Sequence, residues 1–200
     1  MSRTDNHAVS SKSLGPVQID SIEELEAWLD SKGIDTSRWG RGAAKTVEAL
    51  YEEIVSGESH LEDDPPRRVV SLVQVLIRRG DLTLIETEQE FSDGRRRTRN
   101  RPLGEKLRPP ESYRQAVLRG IEEELDVPSE RVHVLESTYR TEQTELESPS
   151  YPGLHSCYNM HILGVEIEGL PEGDFVTYEK SDGHAELVGK HHWSWQRYVG

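Results

Sequence analysis

Residues 102–128 read PLGEKLRPPESYRQAVLRGIEEELDVP, and the parsing of this stretch decides the fold. Glu111 and Ser112 start a helix whose apolar stripe is Ala116, Val117, Ile121 and Leu125, spaced as one helical face requires. Arg119 stands four residues before Glu123, and Glu122, Glu123 and Glu124 crowd the C-terminal half. Adjacent carboxylates at a helix C-terminus are unfavourable, because the helix dipole prefers cations there. A hard divalent cation with oxygen ligands would compensate. A solvated acidic face is the plainer explanation of the charge run taken alone.

The flanks supply strands. VVSLVQVLI (Val69–Ile77) is β-branched and almost continuously apolar, as a buried strand should be. Leu82–Phe91 reads as a second strand closed by the turn Ser92-Asp93-Gly94. An arginine-rich arm, GRRRTRNR, then returns towards the helix. If that arm pairs with Leu82–Phe91, Arg95, Arg97, Arg99 and Arg101 project from one face, opposite Glu86, Glu88 and Glu90. A cross-strand ion-pair ladder is the ordinary reading. The functional one has Arg97, Arg99 and Arg101 gripping substrate phosphates, for which guanidinium geometry is suited. Arg131–Tyr139, Ser156–Ile167 and Phe175–Tyr178 read as further strands, and Leu187–Tyr198 as a short closing helix. This order predicts an α/β fold, a mixed sheet sandwiched between helices.

The N-terminal part differs in composition. Residues 1–19 are polar and Ser-rich without periodicity, which predicts a disordered tail; a targeting segment is the alternative, weakened by the lone Arg3. Residues 20–57 form a helical extension, with Ile22, Leu25, Trp28 and Leu29 on one face and Ser21 and Glu24 at capping-box spacing. A second helix follows through Ala44, Val47, Leu50, Tyr51 and Ile54. Two short helices bury too little alone, so they should dock on the larger unit, with Trp39 as an anchor. Their acidic surface also suits a protein partner or a homodimer contact. Residues 58–66 read as a linker, and 67–200 as the main domain.

Bulk properties narrow the function. The formal net charge of −13 argues against general nucleic-acid binding, with a basic island only in the middle of the chain. No run approaches the roughly 18 apolar residues of a membrane span, so no membrane partner is expected. The single Cys157 excludes an internal disulfide framework, and the first thirty residues hold no apolar signal run, so a cytoplasmic setting is expected. His155, Cys157 and His161 lack the second ligand pair of a zinc site. His191-His192-Trp193-Ser194-Trp195 reads as aromatic packing.

The spacing within 105–127 resembles the Nudix box, in which Gly, five residues, Glu, seven residues and Arg-Glu-aliphatic-x-Glu-Glu-x-Gly-aliphatic form a loop-helix-loop. Glu111, Arg119, Ile121, Glu123, Glu124 and Val127 occupy the matching positions without insertion. The resemblance covers roughly residues 67–198 and implies a Nudix-like sheet between helices. It further implies Mg²⁺ or Mn²⁺ held by Glu123, Glu124 and Glu111, with Arg119 orienting a carboxylate, and a nucleotide-diphosphate-like substrate. The box departs from the pattern at Glu105 for the first Gly, Gly120 for the Glu after Arg119, and Asp126 for the late Gly. Gly120 removes a helix carboxylate, so the box is degenerate. A ligand- or protein-binding module with weak or no hydrolysis is the expectation, and a divalent-metal-dependent hydrolase the alternative. A carboxylate from a loop, Glu142, Glu145 or Glu186, would be a replacement.

Overall fold

The computed structural model of the chain describes residues 15–42, 44–178 and 188–198. Helix α1 (Ile22–Ser31) opens as its capping signal requires: Ser21 Oγ accepts from Glu24 N, and Asp20 N donates to Glu24 Oε2 at 2.8 Å. Helix α2 (Val47–Val55) is capped by Thr46. Trp39, between them, is buried, tilted against Tyr151 at 5.1 Å, and donates from Nε1 to Pro152 O. The apolar faces of both helices close over Leu61, Tyr151 and Leu154 in a core of their own, with Val17 and Ile19 packed against it. Of the expected tail, residues 1–14 lie outside the described residues, and Val17 N donates to Leu61 O at 2.8 Å.

The stretch expected to be a linker is instead mostly strand. Residues Ser59–Asp63 (β1) pair antiparallel with β2 (Pro66–Arg79). Asp64-Pro65 is the tight turn between them, and Pro66 already pairs with Asp63. Strand β2 is the spine of a mixed sheet. It runs parallel to β7 (His155–Ile167) and antiparallel to β5 (Leu103–Lys106), and its last residues meet β3 (Leu82–Phe91). Strand β4 (Arg96–Arg101) returns along β3, and β6 (Val132–Glu147) lies outside β7. Strand β8 (Phe175–Thr177) pairs with β9 (Val188–Gln196), which lies beside β3.

The closing segment is β9 rather than a helix, because His191 and Trp193 alternate inward with His192 and Ser194 facing away, the period of a strand. Glu142 and Glu145 sit on the long strand β6, not on a loop.

Helix α3 (Tyr113–Leu125) packs Ala116, Val117, Ile121 and Leu125 against Val73, Val75, Leu103, Leu163 and Trp193 of the sheet. Its N-cap Ser112 forms a full capping box with Gln115, and Asp126 ends it in the left-handed conformation at φ 55. The architecture is a large mixed sheet flanked by helices, the α/β arrangement expected, with α3 fixed at both ends. No helix among the described residues is long and apolar enough to cross a membrane.

Candidate functional site

Arg119 is the hub of a charge network between α3 and β5. Its Nη1 donates to Glu105 Oε2 at 2.5 Å and Glu123 Oε2 at 3.0 Å. Its Nη2 donates to Glu111 Oε1 at 2.8 Å and to Lys106 O at 2.9 Å, and Nε reaches Glu111 Oε2 at 3.2 Å. Burial opposes the guanidinium charge, but hydrogen bonds and charge from Glu111 and Glu105 outweigh it and push the pKa up. Glu111 also accepts from Arg108 N at 2.7 Å, which folds the 106–111 loop back onto the helix. Burial raises the Glu111 pKa, and Arg119 and the Arg108 amide more than reverse it. Glu105 goes the other way: burial dominates and pushes its carboxyl up, with Glu123 adding to it against Arg119.

Glu124, one residue on, faces a different neighbourhood. It is buried beside Glu86 of β3 and His191 of β9, and one ligand atom from each of the three lies within 4.8 Å of the others. His191 Nδ1 is 2.6 Å from Glu86 Oε1 and 3.6 Å from Glu124 Oε2. Arg99 Nε donates to Glu86 Oε2 at 2.9 Å. Burial would push the Glu86 carboxyl up, and His191 and Arg99 hold it down. An irregularity between Glu86 and Glu88 marks both edges of β3, with Thr87 Oγ1 donating to His192 O. That bulge turns Glu86 inward.

The same bulge changes the arginine arm. Glu86, Glu88 and Glu90 do become partners, but not in one even ladder. Arg96 reaches Glu88 and Glu90 at 3.0 Å each, and Arg97 reaches Gln89 at 2.6 Å. Arg95 folds onto Asp93, Arg99 turns in to Glu86, and Arg101 is exposed. Arg119, Glu111 and Glu123 are therefore brought together, Glu124 joins Glu86 and His191, and Arg99 alone of the three candidate phosphate-gripping arginines reaches that second group.

Glu86, His191 and Glu105 were missed in the sequence. The first two are contributed by strands far apart in the chain, and His191 carries the period-2 signal that a helical reading of 187–198 concealed. For Glu105 a signal existed: a Glu stands where the box has Gly, and a Gly where it has Glu. The replacement carboxylates considered are elsewhere. Glu142 pairs with Arg140, Glu145 with Arg67, and Glu186 lies outside the described residues.

Carboxylate oxygens in excess over nearby cations suit Mg²⁺ or Mn²⁺, and the buried imidazole is compatible with Mn²⁺. A shallow groove of about 330 Å³ lies where β1 and Gly57 meet the box loop, lined by Glu58, His60, Ser71, Leu107, Pro109 and Glu111. Of the carboxylates around Arg119, only Glu111 borders it.

No protein-family model matches the chain, and no curated protein matches it. Among solved structures it is similar to an Ap4A hydrolase of C. elegans in a binary complex. The match has 14% identity and a TM-score of 0.36, covering 64% of this chain and 79% of that one.

Proposed function

We propose that this chain, on its Nudix-like fold, is a divalent-cation-dependent hydrolase of a small molecule containing a nucleoside-diphosphate linkage, working in an intracellular setting. The observation that carries this reading is the placement of Glu124 beside Glu86 and His191, with their ligand atoms within 4.8 Å, on the helix that also presents Glu123. Glu124, with Glu86 and His191, would hold Mg²⁺ or Mn²⁺, and Glu123 and Glu111, gathered on Arg119, are the further carboxylates that the box resemblance implies. Such a cation neutralises diphosphate charge and lowers the pKa of an attacking water. Arg119 positions Glu123 and Glu111, and its three carboxylate partners keep it from reaching substrate itself. Arg97 and Arg101 would be the arginines to meet phosphate oxygens, and Arg99 acts through Glu86.

A non-catalytic ligand- or protein-binding module is the second reading. It is favoured by Gly120 and by the occupation of Glu105, Glu111 and Glu123 with Arg119. The two separate on one assay: release of phosphate or nucleotide from nucleoside-diphosphate-linked compounds with Mg²⁺ or Mn²⁺ present. Glu123→Gln and Glu124→Gln should each lower turnover on the order of a hundredfold or more, the scale of losing a group that stabilises transition-state charge. Ligand binding without turnover in wild type would establish the module instead.

A further inference from the structure

We infer that Glu105 and Gly120 are a reciprocal pair, in which β5 supplies through Glu105 the carboxylate that α3 lacks at position 120. This rests on the cation-dependent reading above and names one more residue of that site.

On a helix, residues three and four apart are neighbours, so a side chain at 120 would stand beside Glu123 and Glu124. Position 120 has none, although Gly in a helix costs about 1 kcal/mol relative to Ala. The reason is steric. A Cβ built on Gly120 would collide with Cγ of Glu105 and lie 3.3 Å from Leu103 Cδ2. The space that a residue-120 side chain would use is filled by the stem of Glu105. A side chain at 120 would force the Glu105 stem to shift, and the helix is glycine where the strand is glutamate.

The stem ends where the inference needs it. The Glu105 carboxylate meets Arg119 Nη1 at 2.5 Å, and that same nitrogen holds Glu123 Oε2 at 3.0 Å. Two carboxylates thus share one guanidinium nitrogen, one delivered by the helix and one by the strand. Strand alternation on β5 sends Lys106 the other way, towards Glu53 and Glu58. Glu105 is therefore directed to the box by the pleat as well as by the cavity over Gly120. As a hard oxygen donor adjacent to Glu123, it joins the set that would ligate Mg²⁺ or Mn²⁺.

The test is Mn²⁺ binding to the full chain, followed by the electron paramagnetic resonance signal of the free ion, with thermal unfolding in parallel. Glu105→Gln keeps the shape and removes the charge, and should raise the Mn²⁺ Kd about tenfold or more, the scale of losing a supporting carboxylate. Gly120→Glu alone should lower Tm by the collision with Glu105. Glu105→Gly/Gly120→Glu should recover Tm and return the Kd to within about threefold of wild type, because the carboxylate is restored from the helix side. If Glu105→Gln binds Mn²⁺ like wild type while Glu123→Gln does not, the role of Glu105 is overturned and the cation site stands. If wild type binds no Mn²⁺ at millimolar concentration, the cation-dependent reading falls and this inference with it.

Discussion

Two charge networks lie on opposite sides of β5, and their balances are reversed. Beneath the N-terminal helices, Glu53 of α2 is one buried carboxylate among cations: Arg68 Nε at 3.1 Å, Lys106 Nζ at 2.9 Å and Lys45 Nζ at 3.2 Å. Around α3, Arg119 is one cation among the carboxylates of Glu105, Glu111 and Glu123, with Arg108 Nη1 3.6 Å from Glu123. In the first network the buried carboxylate is held ionised by the cations around it. The second leaves carboxylate in surplus, and one member, Glu105, is pushed towards its neutral form by burial. A surplus of that kind is what a bound cation relieves. The contrast separates an ion network closed on one buried carboxylate from one that gathers several carboxylates on one guanidinium.

The largest effect should come from the closed network. Glu53→Ala leaves the Arg68 guanidinium, 3% exposed, without its carboxylate. Stripping one partner from a buried pair costs about 3–5 kcal/mol, readable as a lower urea midpoint. A loss below 1 kcal/mol would mean that the N-terminal helices dock by apolar contact alone.

The pH dependence follows from the same group. Burial alone would raise the Glu53 carboxyl, but Arg68 and Lys106 outweigh it and hold the pKa at about 2, against an ordinary 4.5. A depressed folded-state pKa stabilises the chain above the ordinary value and loses that contribution as pH falls through the folded one. The gap in unfolding free energy between wild type and Glu53→Ala should therefore be full at pH 7 and shrink between pH 4.5 and 2. The displacement corresponds to roughly 3 kcal/mol. A gap independent of pH would show that packing, not charge, ties α2 to β2.

How legible these networks were follows from how local their signals are. The caps of α1 and α3 were readable because Ser21 with Glu24, and Ser112, act within one turn. Strand β3 was readable end to end from its composition and the turn after it. Arg119, Glu111 and Glu123 were readable because Glu111 lies 8 residues and Glu123 4 residues from Arg119 along one loop and helix. Glu53 with Arg68 gave no signal, since a charge pair between a helix and a strand has no period. The β1 turn was misread because Asp64-Pro65 suits a tight hairpin as well as it suits a break. Glu105 and Gly120 lie in one short segment, yet only the packing of β5 over Gly120 brings the two positions against each other.

The smallest effect tests whether the two networks are separate. Mn²⁺ binding only the folded chain should add about 1.4 kcal/mol at ten times its Kd, since stabilisation follows RT ln(1 + [L]/Kd). For a chain of this size that is a Tm rise of about 3–6 °C. Lys106 touches both networks: its Nζ pairs with Glu53, while its carbonyl accepts from Arg119 Nη2 at 2.9 Å. Its side chain, however, points away from Glu105, and a backbone carbonyl keeps its place in the sheet when a neighbouring side chain loses a partner. The Mn²⁺ increment in Glu53→Ala should therefore equal that in wild type within about 0.5 kcal/mol, as for independent sites. Loss of the increment would mean that Glu53, through Lys106, holds the box loop in place, and that the two networks are one.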